Sequence, residues 1–135
     1  MEDRNKKEFE IWNKKKQKIH LDERSIYFRK KEIWWCSLGV NVGYEQDGKN
    51  ENFERPVLVL RKINRHLALV IPLSSKRKNH PYYLEYLHNE KIFSAIIFQI
   101  RVVSTKRFLR RLGLVEEKDF DNIIDAVNKF IAETE

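Results

Sequence analysis

The 135-residue chain has little cysteine, glycine or proline, and it lacks long apolar runs. Its single cysteine, Cys36, cannot form a disulfide within the chain, which fits a reducing compartment. No stretch approaches the roughly 18 apolar residues of a transmembrane helix. The first residues also lack the apolar segment of a secretory signal peptide. We therefore expect a cytoplasmic protein with one main domain and no membrane association.

Motifs for several kinds of chemistry are also missing from the sequence. The four histidines have no ligand spacing and no cysteine partner, so we predict no metal site and no cofactor. There is no nucleophile elbow, no phosphate-binding glycine loop and no dinucleotide fingerprint. Cys36 alternates within a strand pattern, and we interpret it as a small buried apolar residue rather than a nucleophile.

Positive charge is concentrated in the middle of the chain. The net charge of the whole chain is +7, but residues 61–111 alone hold 12 lysines and arginines against two glutamates. A surface of this kind attracts and concentrates polyanions such as nucleic acids. The alternative is a basic surface that only keeps the protein in solution.

Residue patterns predict a mainly β structure with helices. Strands are expected at 33–38, 56–62, 66–73, 82–88 and 93–103, where β-branched, aromatic and leucine residues dominate. Residues 3–19 are expected to form a charged helix within an appendage spanning 1–28. Apolar residues at helical spacing from Phe120 to Ile131 predict a C-terminal helix. Together they favour a small SH3-like β-barrel over 29–135, with a terminal helix and an N-terminal helical arm.

Polar and charged residues gather where the predicted strands end. Arg55 comes where the long loop 39–55 meets a strand, and Glu45 lies within that loop. Ser74 and Ser75 follow an apolar strand and precede the basic triplet Lys76, Arg77 and Lys78. Hydroxyl donors beside several cations suit a phosphate group. The same serines could instead cap a turn, with the triplet in solvent.

Four blocks of the sequence resemble the PemK/MazF toxin family. They are the strand Glu32–Trp35, the loop Gly43–Gly48, the stretch Arg55–Val59, and the segment Gln99–Arg107. The family has a Thr or Ser where Ser74 stands. The resemblance covers roughly 31–131 and leaves the N-terminal arm outside. In this chain Lys31 replaces a usual Gly, and six residues, 49–54, stand where familiar members have about one.

The resemblance implies a metal-independent endoribonuclease toxin of a type II toxin–antitoxin system. It would cut single-stranded RNA by 2′-hydroxyl attack, leaving 2′,3′-cyclic phosphate and 5′-hydroxyl ends. It also implies a homodimer and a cognate antitoxin. Arg55 would clamp the phosphate, Ser74 would bond to it, and Glu45 would act as base or orient Arg55. The residues expected to bind RNA are Tyr44, Gln46, Phe53, Ser75, Lys76, Arg77, Lys78, Gln99 and Arg101.

Two other functions stay open at this point. The same barrel carries gyrase-binding toxins of the CcdB type, which act without catalysis. A catalytically silent barrel could also bind nucleic acid without cutting it. Arg55 together with a hydroxyl at position 74 favours the nuclease over both.

Overall fold

The computed structural model describes residues 7–76 and 80–133. Within these residues two α-helices flank seven strands. The helices are α1 (Phe9–Leu21) and α2 (Glu117–Ala132). The strands are β1 (Glu32–Ser37), β2 (Glu54–Lys62), β3 (Leu67–Ser74), β4 (Tyr83–His88), β5 (Lys91–Ile96), β6 (Arg101–Ser104) and β7 (Phe108–Leu114). The predicted mainly β fold with a helix near each end is confirmed.

All strand pairings are antiparallel and form one sheet in the order β4-β5-β3-β2-β1-β7, with β6 beside β3. Within the described residues no backbone pairing joins β4 to β7, so the sheet is not closed into a ring. The two outer strands still approach each other, because a Cβ at Gly113 of β7 would lie 2.6 Å from Nε2 of His88 in β4. The sheet is therefore a strongly curled, open version of the predicted barrel.

One predicted strand, 93–103, is wrong as a single element. It divides into β5 and β6, separated by a 3₁₀ turn at Ile97–Gln99. Both pieces pair with β3. Strand β5 pairs with Leu73 and Ser74 at the end of β3, and β6 pairs with Leu67–Val70. The turn moves the chain along the same edge of β3, which is how the sheet turns its corner here.

The residues on the two faces of the sheet form separate apolar cores. Ile33, Leu58, Leu60, Ile71 and Leu73 pack against α2 residues Phe120, Ile123 and Val127 in what we call the helix-side core. The core on the opposite face, which we call the arginine-side core, is formed by Trp34, Cys36, Val57, Val59, Val70, Val103 and Phe108. Successive side chains in a strand point to opposite faces, so the sequence of β2 from Val57 to Leu60 supplies both cores alternately.

The neighbouring tryptophans follow the same rule. Trp34 is buried and stacks on Phe108 with ring centroids 5.4 Å apart. Trp35 faces the other way, is only partly buried, and lies 4.9 Å from the Arg110 guanidinium. One of the two neighbouring tryptophans therefore packs inward.

The N-terminal arm is docked on the body. Trp12 of α1 is buried, and Phe28 is fully buried in the arginine-side core. Beyond the helix, Arg24 Nη2 donates to the carbonyl of Phe108 at 2.8 Å, and Lys106 Nζ donates to that of His20 at 2.6 Å. The boundary between arm and domain at residues 28/29 stays a prediction. Phe28, the last residue assigned to the arm, belongs to the arginine-side core.

No helix among the described residues is long and apolar enough to cross a membrane.

Candidate functional site

Strand alternation places the predicted site on one face of the sheet. Arg55 pairs with Cys36, and Arg101 pairs with Val70, both residues of the arginine-side core. Ser74 lies four residues beyond Val70 in β3 and therefore points to the same face. The long loop between β1 and β2 begins at the same edge. Side chains from three strands thus share the surface that this loop borders.

The Arg55 guanidinium is held by backbone carbonyls on two sides. Its Nε donates to the carbonyl of Asp47 at 2.9 Å, and its Nη1 donates to that of Leu73 at 3.2 Å. With its amide oxygen turned toward the guanidinium, Gln46 accepts from Nε at 3.0 Å and from Nη2 at 2.8 Å. The loop and the end of β3 therefore fix this side chain directly beside Ser74.

Burial lowers the pKa of Arg55 from its ordinary value, while the charges of Asp47 and Tyr83 oppose this change. An arginine remains protonated in proteins, so the shift marks a cation removed from water rather than a base. A fixed, partly desolvated cation interacts strongly with an anion that enters its site.

Ser74 closes a short turn at the end of β3. Its Oγ accepts a hydrogen bond from the backbone N of Lys76 at 3.1 Å. The Lys76 carbonyl accepts one from the buried Ser94 Oγ at 3.0 Å. The turn and the phosphate roles are compatible, since a hydroxyl that accepts one bond still has its own proton to donate. Ser75 is exposed beside it, and Arg77 and Lys78 lie outside the described residues.

A third cation, which the sequence pattern did not single out, completes the local positive field. Lys49 has its pKa lowered by burial and further by the charges of Arg55 and Lys76. It comes directly after Gly48 in the loop, and its backbone bridges to Glu54 at the start of β2. Lys49, Arg55 and Lys76 therefore share one field, which favours a bound anion.

Glu45 lies in the same cleft but does not bind Arg55 in this conformation. The cleft is about 1000 Å³ and is lined by Tyr44, Glu45, Gln46 and Arg55 among others. Glu45 is exposed, and its Oε1 accepts from the backbone N of Val42 at 3.2 Å. The acidic residue that acts electrostatically on Arg55 is Asp47. Sequence reasoning missed this residue, although it precedes Gly48 in the same motif.

The aromatic residues divide differently from the expectation. Tyr44 is 79% exposed, and its carbonyl accepts from Gln99 Nε2 at 3.2 Å. Phe53 is 5% exposed and packs on Trp12 with ring centroids 5.4 Å apart. Its burial does not fit the predicted role as a surface for RNA bases. The reason is the arm, which supplies an apolar partner that the loop sequence alone does not reveal.

A second aromatic group lies around the β4–β5 hairpin. Tyr83, Phe98 and His80 contact one another, with Tyr83 and Phe98 centroids 5.5 Å apart. The electrostatic effect of Tyr83 also raises the pKa of Arg55, against the effect of burial. Their place at the site follows from the β4–β5 hairpin and the 3₁₀ turn after it, which the prediction of one continuous strand concealed.

Two further arginines, Arg101 and Arg107, lie close enough to act electrostatically on Cys36 of the arginine-side core. Arg107 Nη1 donates to the carbonyls of Ser37 and Leu38 at 3.1 and 3.3 Å. Its pKa is lowered by burial and by the charge of Arg101. Burial raises the pKa of the Cys36 thiol to about 12, although the charges of Arg107 and Arg101 act in the opposite direction. This burial agrees with the interpretation of Cys36 as a packed apolar residue.

Among residues 7–76 and 80–133, no group of three or more His, Cys, Asp or Glu side chains is arranged to hold a metal ion.

Comparison with known proteins identifies the family of this chain. Residues 29–131 match the model of a family described as PemK-like, MazF-like toxin of type II toxin–antitoxin system. The chain therefore belongs to this toxin family. The match includes Arg55, Ser74 and Arg101. It begins at residue 29, directly after the N-terminal arm. Comparison with curated proteins finds no match.

Solved structures of the same fold are similar over most of the chain. MazF from Deinococcus radiodurans (crystal form I) has a TM-score of 0.67 and 17% identity, covering 80% of this chain and 100% of its own. An endoribonuclease from a mycobacterial species in complex with its cognate antitoxin has a TM-score of 0.59 and 13% identity, with 81% and 99% covered. The MazE–MazF complex of D. radiodurans (form II) has a TM-score of 0.61 and 14% identity, with 81% and 100% covered.

Proposed function

We propose that this toxin is an endoribonuclease that cuts single-stranded RNA without a metal ion. The observation that carries the proposal is the Arg55 guanidinium, fixed between the Asp47 and Leu73 carbonyls beside Ser74. Lys49 and Lys76 extend the positive field around it. Family membership and a structural neighbour named as an endoribonuclease support the same activity.

The reaction would be an internal transfer at phosphorus. The RNA 2′-oxygen attacks its own 3′-phosphate, its proton passes to a base, and the 5′-oxygen leaves with a proton. The products are a 2′,3′-cyclic phosphate and a 5′-hydroxyl, and no water is consumed. The step needs donors for the charge that grows on the phosphate oxygens, and groups that take and give protons.

Arg55 and Ser74 fit the donor role best. Arg55 offers a fixed cation, and Ser74 offers a hydroxyl proton beside it. Arg55 could also protonate the leaving oxygen. Among the carboxylates that line the cleft, Glu8, Glu45 and Asp47, we assign Glu45 the base role or the orientation of Arg55. In the first case it must release its bond to Val42 when RNA enters.

The RNA strand would follow the positive surface and place its bases on aromatic rings. Gln99 joins the loop to the 3₁₀ turn through Tyr44, so these two residues, Gln46 and Arg101 are proposed to contact RNA. Tyr83 and Phe98 take the stacking role first assigned to Phe53. Stacking on aromatic faces and contacts to splayed bases are how proteins recognise single-stranded RNA.

Incubation of the purified protein with single-stranded RNA in EDTA tests the proposal. We expect cleavage and cyclic-phosphate ends, identified by mass spectrometry of the fragments. A requirement for Mg²⁺, or fragments with 5′-phosphate ends, would contradict the mechanism. Bound but intact RNA would replace the nuclease by a nucleic-acid-binding barrel, and neither binding nor cleavage would favour a toxin of the CcdB type.

Two partners complete the proposal. A cognate antitoxin with an acidic segment would compete with RNA for Arg55, Lys76 and Arg101, and structural neighbours include complexes with antitoxins. Such an antitoxin should bind more weakly as salt rises.

A homodimer would cover an open sheet edge. Sedimentation should then give about twice the chain mass of 16.4 kDa.

A further inference from the structure

The N-terminal arm and the long loop both depart from the family pattern, and they contact each other. The arm precedes the matched region 29–131. The loop, residues 39–53, holds five of the six residues, 49–54, that stand where familiar members have about one. The arm contacts the loop through three side chains. Lys7 lies just before α1, and Trp12 and Lys15 lie within it.

Trp12 is the apolar anchor of this contact. It is 6% exposed, whereas its neighbours Phe9 and Ile11 in the same helix are about half exposed. Its ring packs on Phe53 at one end of the loop and lies over Gly39 at the other, where a Cβ would come within 2.0 Å of the indole. Gly39 also has a φ of +78°, so both its backbone and its lack of a side chain fit this contact. One side chain therefore holds both ends of the loop.

Lys7 is the polar anchor. Its Nζ forms an ion pair with Asp47 Oδ2 at 3.0 Å and donates to the carbonyls of Gly43, at 3.0 Å, and Asn41. The pair is only partly exposed, with 13% of the Lys7 side chain and 30% of the Asp47 side chain accessible. Lys15 Nζ adds a bond to Asn52 Oδ1 at 2.9 Å.

Asp47 connects the arm to the site. Its carboxylate binds Lys7 and accepts from the backbone N of Asn41 at 2.7 Å, while its own carbonyl accepts from Arg55 Nε at 2.9 Å. The neighbouring Gln46 amide completes the hold on the guanidinium. The position of Arg55 therefore depends on a loop whose conformation the arm fixes.

We propose that the arm is a strap for the active-site loop, in which Trp12 and Lys7 act as positioning residues for Arg55. The catalytic consequence rests on the function proposed above. Without the strap, the lengthened loop samples many conformations, and Arg55 loses its fixed partners. Small misplacements of a catalytic group cost large factors in rate, because the reacting geometry is then rarely reached.

The test compares Trp12→Ala and Lys7→Ala with matched controls in the full-length protein. Trp12→Phe and Lys7→Arg keep the ring and the charge, and Ile11→Ala removes an exposed side chain next to Trp12. Amide hydrogen exchange measures the loop, in particular Asn41 and Gly48, which donate to Asp47 Oδ1 and the Gly39 carbonyl. Single-turnover cleavage of a short RNA measures the site.

We expect exchange in residues 39–53 to rise by about tenfold or more in both alanine variants, while β2 and β3 keep their protection. The cleavage rate should fall by about tenfold, with RNA affinity changed much less. The conservative variants and Ile11→Ala should behave as wild type. If Trp12→Ala does not fold, Lys7→Ala decides the question alone.

Unchanged loop exchange in the alanine variants would overturn the strap. Faster exchange with an unchanged cleavage rate would overturn its positioning role. Faster exchange with faster cleavage would also overturn it, because the arm would then obstruct the site. If the wild-type protein cuts no RNA, the proposed function fails, and the exchange rates alone decide whether the arm holds the loop.

Discussion

The two faces of the sheet are built from the same strands but are finished in different ways. On the helix-side core, α2 covers the apolar residues with Phe120, Ile123 and Val127. On the other face, the arginine-side core is bordered by Arg55, which lines the cleft, and by Arg101 and Arg107. One face is sealed and serves stability. The other leaves cations partly desolvated, an arrangement that costs stability and suits anion binding.

The largest expected effect is on the sealed face. Phe120 is 2% exposed, and Phe120→Ala should lower the free energy of unfolding by about 3–5 kcal/mol because it leaves a cavity beneath α2. Cleavage per folded molecule should stay near wild type. Urea denaturation and activity at low temperature separate the two quantities. A specific loss of activity in fully folded protein would show that the faces are not independent.

The reciprocal change is on the open face. Arg55→Ala should reduce the single-turnover cleavage rate by about 10²–10³, the cost of losing one fixed donor to a developing charge. The matched control is Arg61→Ala, an exposed arginine further along the same strand. A folded Arg55→Ala protein with near wild-type cleavage would place the site elsewhere. A large loss of thermal stability instead would give Arg55 a structural role.

Ser74 should show a smaller effect of the same kind. A hydrogen bond to a charged group contributes about 1.5–3 kcal/mol, so Ser74→Ala should slow cleavage by about 10- to 100-fold. Ser74→Thr keeps the hydroxyl and should be tolerated, and the exposed Ser25→Ala serves as control. If Ser74→Ala lowers the melting temperature but not the rate, the hydroxyl only closes the turn with Lys76.

Cys36 should show the smallest effect. Burial raises the pKa of its thiol to about 12, so at pH 8 it is protonated as well as enclosed. Since the thiolate is the reactive form, native protein should resist iodoacetamide and keep its cleavage rate. Mass spectrometry after labelling checks this, with urea-unfolded protein as the positive control. Rapid labelling of the native protein would indicate an open arginine-side core.

Much of the sealed face could be predicted from the sequence. Alternation in β2 and β3 and the helical spacing of Phe120, Ile123 and Val127 follow directly from side-chain geometry. β7 was not predicted, because Arg110, Arg111 and Gly113 interrupt its apolar pattern. Its place at the edge of the sheet tolerates such residues, and β1 supplies its backbone hydrogen bonds.

The open face was predicted in outline only. Arg55 and Ser74 were identified from their place at strand ends and from the family resemblance. Asp47, Lys49 and Tyr83 were missed, because their part in the site depends on how the loop and the β4–β5 hairpin fold back onto Arg55. The burial of Phe53 depends on Trp12, which lies 41 positions earlier in the chain. Contacts of this kind have no local sequence signal.

The most direct test of the difference between the two faces is to locate bound RNA. Amide chemical shifts of ¹⁵N-labelled protein can be recorded with and without a 2′-O-methyl RNA, which lacks the attacking hydroxyl. The account predicts shifts in residues 39–55, at Ser74 and Lys76, and around Gln99 and Arg101, while α2 remains unchanged. Shifts confined to α2, or shifts on the open face that persist fully in Arg55→Ala, would contradict it.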